Sequence, residues 1–229
     1  METGIKATIK RILSEAQLQS QVSTPELSIS LDDLHEEAFI EDSYMKVLLR
    51  EKAYHLGGVR ARDEFTRENF TVTDKNKNAF ESCDAFKPKT DNLYLFGATG
   101  TGKSHLAIIA ARKFWRGALV VKPSEIFRKI RACDGAEEEM STIVGYALQE
   151  VLVIDDLGVG KDTEFAVTSM YEIIDRRYQS MRGGLVVTTN LSPDELAKKL
   201  GDDRIPSRLA QMCRGHIFDL GSAKDWRIA

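Results

Sequence analysis

The sequence has 229 residues, of which 42% are hydrophobic and 29% charged, with a formal net charge of −3. That length suits one full α/β domain plus a short additional segment, and the apolar content excludes a wholly disordered chain. A weakly acidic balance also excludes general attraction to nucleic acid, so any such contact needs a local basic patch or an assembly.

Residues 5–18 place Ile5, Ile9, Ile12, Leu13 and Ala16 on one helical face, with Lys6, Lys10 and Arg11 off it. This is the pattern of an amphipathic helix, and it fits either packing on its own domain or docking to a partner. A polar linker with Pro25 spans residues 19–30. Residues 31–56 are expected to be helical again, and Gly57-Gly58 ends that stretch. The domain boundary is therefore set between a helical segment, 1–56, and an α/β domain, 57–229.

From Asn92 strands and helices alternate. Strands are expected at 93–96, 118–121, 151–154 and 185–188. Helices are expected at 105–115, from a Ser124 cap to Arg131, at 168–178 and at 192–200. The run Val151 to Ile154 is apolar throughout, as in a strand buried on both faces. Such alternation predicts a parallel sheet sandwiched by helices. The three cysteines, Cys83, Cys133 and Cys213, form no CxxC pair. Their spacing argues against a zinc site or a disulfide framework and fits a reducing cytoplasm. There is no apolar signal core and no apolar run near the roughly 20 residues of a membrane span. The expectation is a soluble, cytoplasmic chain without a membrane partner.

Gly97-Ala98-Thr99-Gly100-Thr101-Gly102-Lys103-Ser104 matches G-x-x-x-x-G-K-[ST] completely, between an apolar strand and a helix. Glycines let the backbone curl so that successive N–H groups face phosphate oxygens. The following helix adds its positive end. Lys103 is expected on the β- and γ-phosphates, and Ser104 on Mg²⁺. The strand ending in Ile154 delivers Asp155-Asp156 to the edge of the sheet where ligands bind. Asp155 is expected to hold Mg²⁺, and Asp156 to orient or deprotonate the attacking water. Asn190, after the strand 185–188, suits a sensor of the γ-phosphate, although an Asn before a capped helix is also an ordinary turn residue. These positions together predict a site for ATP and Mg²⁺.

Further stretches now match a family. They are Arg67-Glu68-Asn69-Phe70, the phosphate loop continued by His105-Leu106-Ala107, and Leu152 through Gly158. The match goes on through Tyr171-Glu172-Ile173-Ile174-Asp175-Arg176-Arg177-Tyr178, Val187 through Ser192, Arg204-Ile205-Pro206-Ser207-Arg208-Leu209 and Asp225-Trp226-Arg227. On these the chain resembles the DnaC-type bacterial and phage helicase loaders, close to the IstB group of transposition helper ATPases. The resemblance implies an AAA+ fold without a large lid. It implies that Lys103 and Ser104 act as Walker A, with His105 beside them, Asp155 and Asp156 as Walker B, and Asn190 as sensor 1. Arg208 is implied as an arginine finger and Arg227 as a sensor-2-like residue contacting the nucleotide. Arg204 and Arg208 are also four apart, as on one solvated helix face. Phe127 with Arg128, Lys129 and Arg131 is the nearest candidate for touching single-stranded DNA, and ordinary amphipathic packing explains those residues equally.

The resemblance implies a replicative helicase loader with slow ATP hydrolysis stimulated by DNA or a partner. It would hold a hexameric helicase through its N-terminal segment, self-associate through its ATPase domain and engage single-stranded DNA. A transposition helper is the alternative. A small-molecule kinase is a third reading, and it lacks a lid-like insertion after Gly160.

Overall fold

The computed structural model describes residues 64–114, 118–160, 163–180 and 183–221. The expected helices at 5–18 and 31–56, their linker, the boundary at Gly57 and Arg227 lie outside the described residues.

The elements run α1 (Lys77–Asp84), β1 (Asn92–Phe96), α2 (Lys103–Arg112), β2 (Ala118–Val121), α3 (Pro123–Arg131), α4 (Ala136–Ala147) and β3 (Val151–Leu157). They continue as α5 (Glu164–Gln179), β4 (Leu185–Thr189), α6 (Pro193–Leu200), α7 (Arg204–Met212) and β5 (Ile217–Asp219). Every strand pair is parallel and the sheet order is β2-β3-β4-β1-β5. The phosphate-loop strand β1 and the acidic strand β3 are therefore separated by β4.

Alternation along the strands divides the core into two layers. Leu93, Leu95, Val151, Val153 and Val186 join α1 and α2 through Ala79, Cys83, Leu106 and Ile108. Tyr94, Leu152, Ile154, Leu185 and Val187 join α3 to α7 through Ile126, Ile143, Ile173, Leu196 and Leu209. The doubly covered parallel sheet of the sequence reading is present. Arg177 is fully buried at the edge of this core. Its NH1 donates to the carbonyls of Ala147 and Gln149, each at 2.8 Å, and its NH2 to that of Gly183 at 2.7 Å, tying the end of α4 to the lead-in of β4.

Several boundaries differ from expectation. Helix α3 is capped at Lys122, not Ser124. Pro123 takes the first helical position, where its missing N–H costs nothing, and Glu125 accepts the Lys122 amide at 2.8 Å. Helix α5 starts at Glu164 because the Thr163 hydroxyl accepts the Ala166 amide at 3.2 Å. Strand β3 continues to Leu157 through the two aspartates. There Ile154 pairs with Val187 and Leu157 with Thr189, so β3 carries one extra residue, a bulge. Helices α1 and α4 and strand β5 were not anticipated.

Candidate nucleotide-binding site

Because all strands are parallel, their C-terminal ends lie along one edge, and the phosphate loop, Lys122, the acidic pair and Asn190 all emerge there. The loop's glycines are required by shape. Gly97, Gly100 and Gly102 have φ of 138°, 83° and 91°. A Cβ on Gly97 would lie 2.9 Å from the Gly221 carbonyl oxygen, and one on Gly102 would lie 2.8 Å from the Phe70 ring. The first contact follows from β5, since Ala98 donates its amide to Gly221 at 3.0 Å.

Lys103 is 5% exposed. Its ammonium donates to the carbonyls of Gly97 at 2.8 Å and Ala98 at 2.7 Å, so the loop curls around it. The Thr101 hydroxyl donates to Ala98 at 3.0 Å and tightens the same turn, while Thr99 lies exposed at its tip. Helix α2 begins directly at Lys103, so its first-turn amides flank the loop.

Ser104 and Asp155 meet as expected. Ser104 Oγ donates to Asp155 Oδ1 at 2.7 Å. Thr188 Oγ1 donates to the same oxygen at 2.8 Å and accepts the Asp156 amide at 2.9 Å. Asp155 is 2% exposed. This is an oxygen-only donor set, the chemistry of a hard cation such as Mg²⁺, and Ser104 with Asp155 would hold it. Bound there, the ion would neutralise charge on the phosphate oxygens.

Asp156 adopts a φ of 64°, the single positive value for a non-glycine among the described residues. That turn sends its carboxylate away from Asp155 to Lys122, where Nζ lies 3.2 Å from Oδ2. Asn190 is exposed immediately beyond β4. His105 turns the other way. Its Nε2 donates to the Thr66 carbonyl at 2.7 Å, and its ring stacks on Phe65 at 4.8 Å. The His105 side chain thus packs away from the phosphate loop, on Phe65 and Thr66.

Arg208 and Arg204 do share one side of α7. Arg208 Nε donates to Asp175 Oδ1 at 3.0 Å, and its guanidinium lies 4.2 Å over the Tyr178 ring. Arg204 lies 4.6 Å over Tyr171 and pairs with Asp202. The Tyr171-to-Tyr178 stretch of α5 is therefore the bed for both arginines. On α3, Phe127 packs against the core and Arg131 lies 4.9 Å over Phe165, so packing accounts for these two.

Three participants escaped the sequence reading: Thr188, Lys122 and Phe70. Thr188 carried a signal. Two adjacent hydroxyls closing an aliphatic strand are buried polar groups, and such groups need partners. Lys122 and Phe70 are identified only by what they touch.

A parallel sheet in this order, with a phosphate loop on β1 and a buried carboxylate on β3, defines a P-loop ATPase domain of the AAA+ kind. The chain belongs to the family described as IstB-like ATP binding protein, which matches residues 26–215. It is 24% identical over 177 residues to the replicative helicase loader DnaC of Escherichia coli K12, covering 72% of this chain and 71% of that protein. It is 25% identical over 141 residues to the insertion sequence IS5376 putative ATP-binding protein of Geobacillus stearothermophilus, covering 59% and 55%. The chain spans about half the length of several such relatives. Among solved structures, a crystal structure of the DnaC helicase loader superposes with a TM-score of 0.56 at 21% identity, over 69% of this chain and 97% of that one. ATP binding is the property that the family description names. No helix among the described residues is long and apolar enough to cross a membrane.

Proposed function

We propose that the chain is a replicative helicase loader that hydrolyses ATP with Mg²⁺ as cofactor. The observation that carries the catalytic part is the Ser104–Asp155–Thr188 cluster beside a loop curled on Lys103. Lys103 takes the β- and γ-phosphates, and Ser104 and Asp155 hold the metal. Asp156 orients the attacking water once its carboxylate leaves Lys122, and Asn190 senses the γ-phosphate. Arg208 acts on a neighbouring subunit's site, and Arg227 contacts the nucleotide. DNA or a partner stimulates turnover.

The loader reading is supported by the DnaC match, which spans more of both chains than the insertion-sequence matches do. In this reading residues 1–56 hold the hexameric helicase, and the ATPase domain self-associates and engages single-stranded DNA. The family description favours a second reading, a transposition helper that activates a transposase. Size-exclusion of the chain with its host's replicative helicase, with and without ATP, separates the two. Co-elution supports the loader. Its absence, with ATP-dependent binding to the transposase of a neighbouring insertion element, supports the helper. Deleting residues 1–55 is expected to abolish co-elution with the helicase and leave ATP binding unchanged.

A further inference from the structure

The stretch Arg67-Glu68-Asn69-Phe70 is so far without a role, although it touches the phosphate loop. Residues 64–69 form a tight turn. Asn69 donates its side-chain amide to the Glu64 carbonyl at 3.0 Å and its backbone amide to the Thr66 hydroxyl at 3.3 Å. This turn points Phe65 and Phe70 back at α2. His105 is held between them, stacked on Phe65 at 4.8 Å and edge-on to Phe70 at 5.1 Å. Its Nε2 also donates to Thr66 within the turn. Phe70 stacks in turn on Phe80 of α1 at 5.6 Å. Arg67 lies 5.8 Å over the outer part of that cluster and pairs with Asp84 at 3.1 Å. The inner edge of the Phe70 ring meets Gly102, so closely that a Cβ there would lie 2.8 Å away.

We propose that residues 65–70, latched to His105 and pressing the Phe70 ring on Gly102, are a positioning element. They hold the phosphate loop in its anion-binding curl, whatever base the ligand carries. A loop of several glycines is intrinsically free. Its N–H groups converge on an anion only if something fixes the backbone before binding, because ordering it on binding subtracts from affinity. Lys103 fixes the loop from inside, through Gly97 and Ala98. Gly221 backs it at Gly97, and Phe70 backs it at Gly102, where α2 begins. Phe65 and Phe70 flank His105 and Thr66 accepts its Nε2, so the clasp is fixed to the first turn of α2.

The test compares ATP with inorganic tripolyphosphate, which has no base, as ligands of the full-length protein. Phe70→Ala is expected to weaken both by the same factor, about tenfold. His105→Phe keeps the ring stack and loses the bond to Thr66; it is expected to weaken both by about threefold. Phe70→Leu, which retains bulk, guards against a folding failure of the alanine variant and is expected to fall between parent and alanine. Weakening of ATP alone would mean that the segment contacts the base, and would overturn the proposal. A lowered melting temperature with unchanged affinities would overturn it as well, leaving only a packing role. Lys103→Ala is measured in parallel, since the proposal rests on phosphate binding by this loop. If Lys103→Ala binds ATP like the parent, the site assignment fails. If it loses ATP and Phe70→Ala does not, only the clasp fails.

Discussion

Lys103 and Asp155 are 5% and 2% exposed, and their bonds to Gly97, Ala98, Ser104 and Thr188 are 2.7–2.8 Å, all inside one subunit. On the α5–α7 surface the side chains of Arg208 and Arg204 are 33% and 57% exposed, bedded on Tyr178 and Tyr171. Asp175 takes the Nε of Arg208, the nitrogen furthest from the tip, so the carboxylate does not consume the tip of the fork. The first region gathers a buried cation and a buried carboxylate cluster within one chain. The second aligns two cations, each over an aromatic ring, at the surface. The proposed function accordingly assigns binding to one subunit and fast turnover to an assembly.

Four changes break or sharpen this contrast. The largest effect is expected from Arg208→Ala. Turnover should fall by about 10³ or more, the scale of a finger, while ATP affinity of the isolated chain stays within about twofold. Normal turnover would move the finger to Arg204, and lost affinity would place Arg208 in its own subunit's site. Next comes Lys103→Ala. It removes the charge paired with phosphate, and ATP affinity measured by titration should drop by about a hundredfold with the fold intact.

Thr188→Val keeps shape but removes the donor to Asp155 and the acceptor for the Asp156 amide. Asp155 Oδ1 keeps the Ser104 bond but loses this one, and the half-buried Asp156 amide loses its acceptor, so stability should fall by about 1–2 kcal/mol. Turnover should fall about tenfold, and the Mg²⁺ needed for half-maximal rate should rise. A Thr188→Val protein with parental metal dependence would detach Thr188 from the site.

The smallest effect concerns pH. Burial pushes the His105 ring below its usual value, the Thr66 carbonyl and Glu64 oppose this, and Arg112 adds to it. The released ring therefore takes a proton more readily than the packed one. The clasp is intact above about pH 6.5 and loosens as pH falls below that toward the lowered value. Between pH 7.5 and 5.5 the parent should lose roughly threefold more ATP affinity than His105→Phe, a comparison in which the ligand's own titration cancels. Parallel curves for the two proteins would remove His105 from the account.

Much of this was legible in the sequence because it is local. The phosphate loop is eight contiguous residues, and Val151 to Asp156 carries both its burial and its chemistry in one run. The spacing of Arg204 and Arg208 placed them on one helix side. What escaped depends on contacts between distant residues. Nothing near Phe70 reveals Gly102, and nothing near Lys122 reveals Asp156. Aspartate is rare in strands, so the sequence pattern closes β3 at Ile154, whereas pairing with β4 carries it through a bulge to Leu157. Helix α4 holds Thr142, Val144 and Gly145, poor helix formers that packing on α5 overrides. Strand β5 is three residues long, too short for a periodic signal, yet Gly221, just beyond it, backs the phosphate loop.

The most direct test mixes two inactive proteins. Arg208→Ala keeps an intact pocket and lacks the finger; Lys103→Ala keeps the finger and lacks the pocket. Steady-state ATP hydrolysis is measured while Lys103→Ala protein is titrated into a fixed amount of Arg208→Ala protein. The account predicts that turnover rises from background with each addition and saturates, because each mixed contact sets one intact finger against one intact pocket. A flat titration, in a mixture shown by sizing to co-assemble, would contradict it.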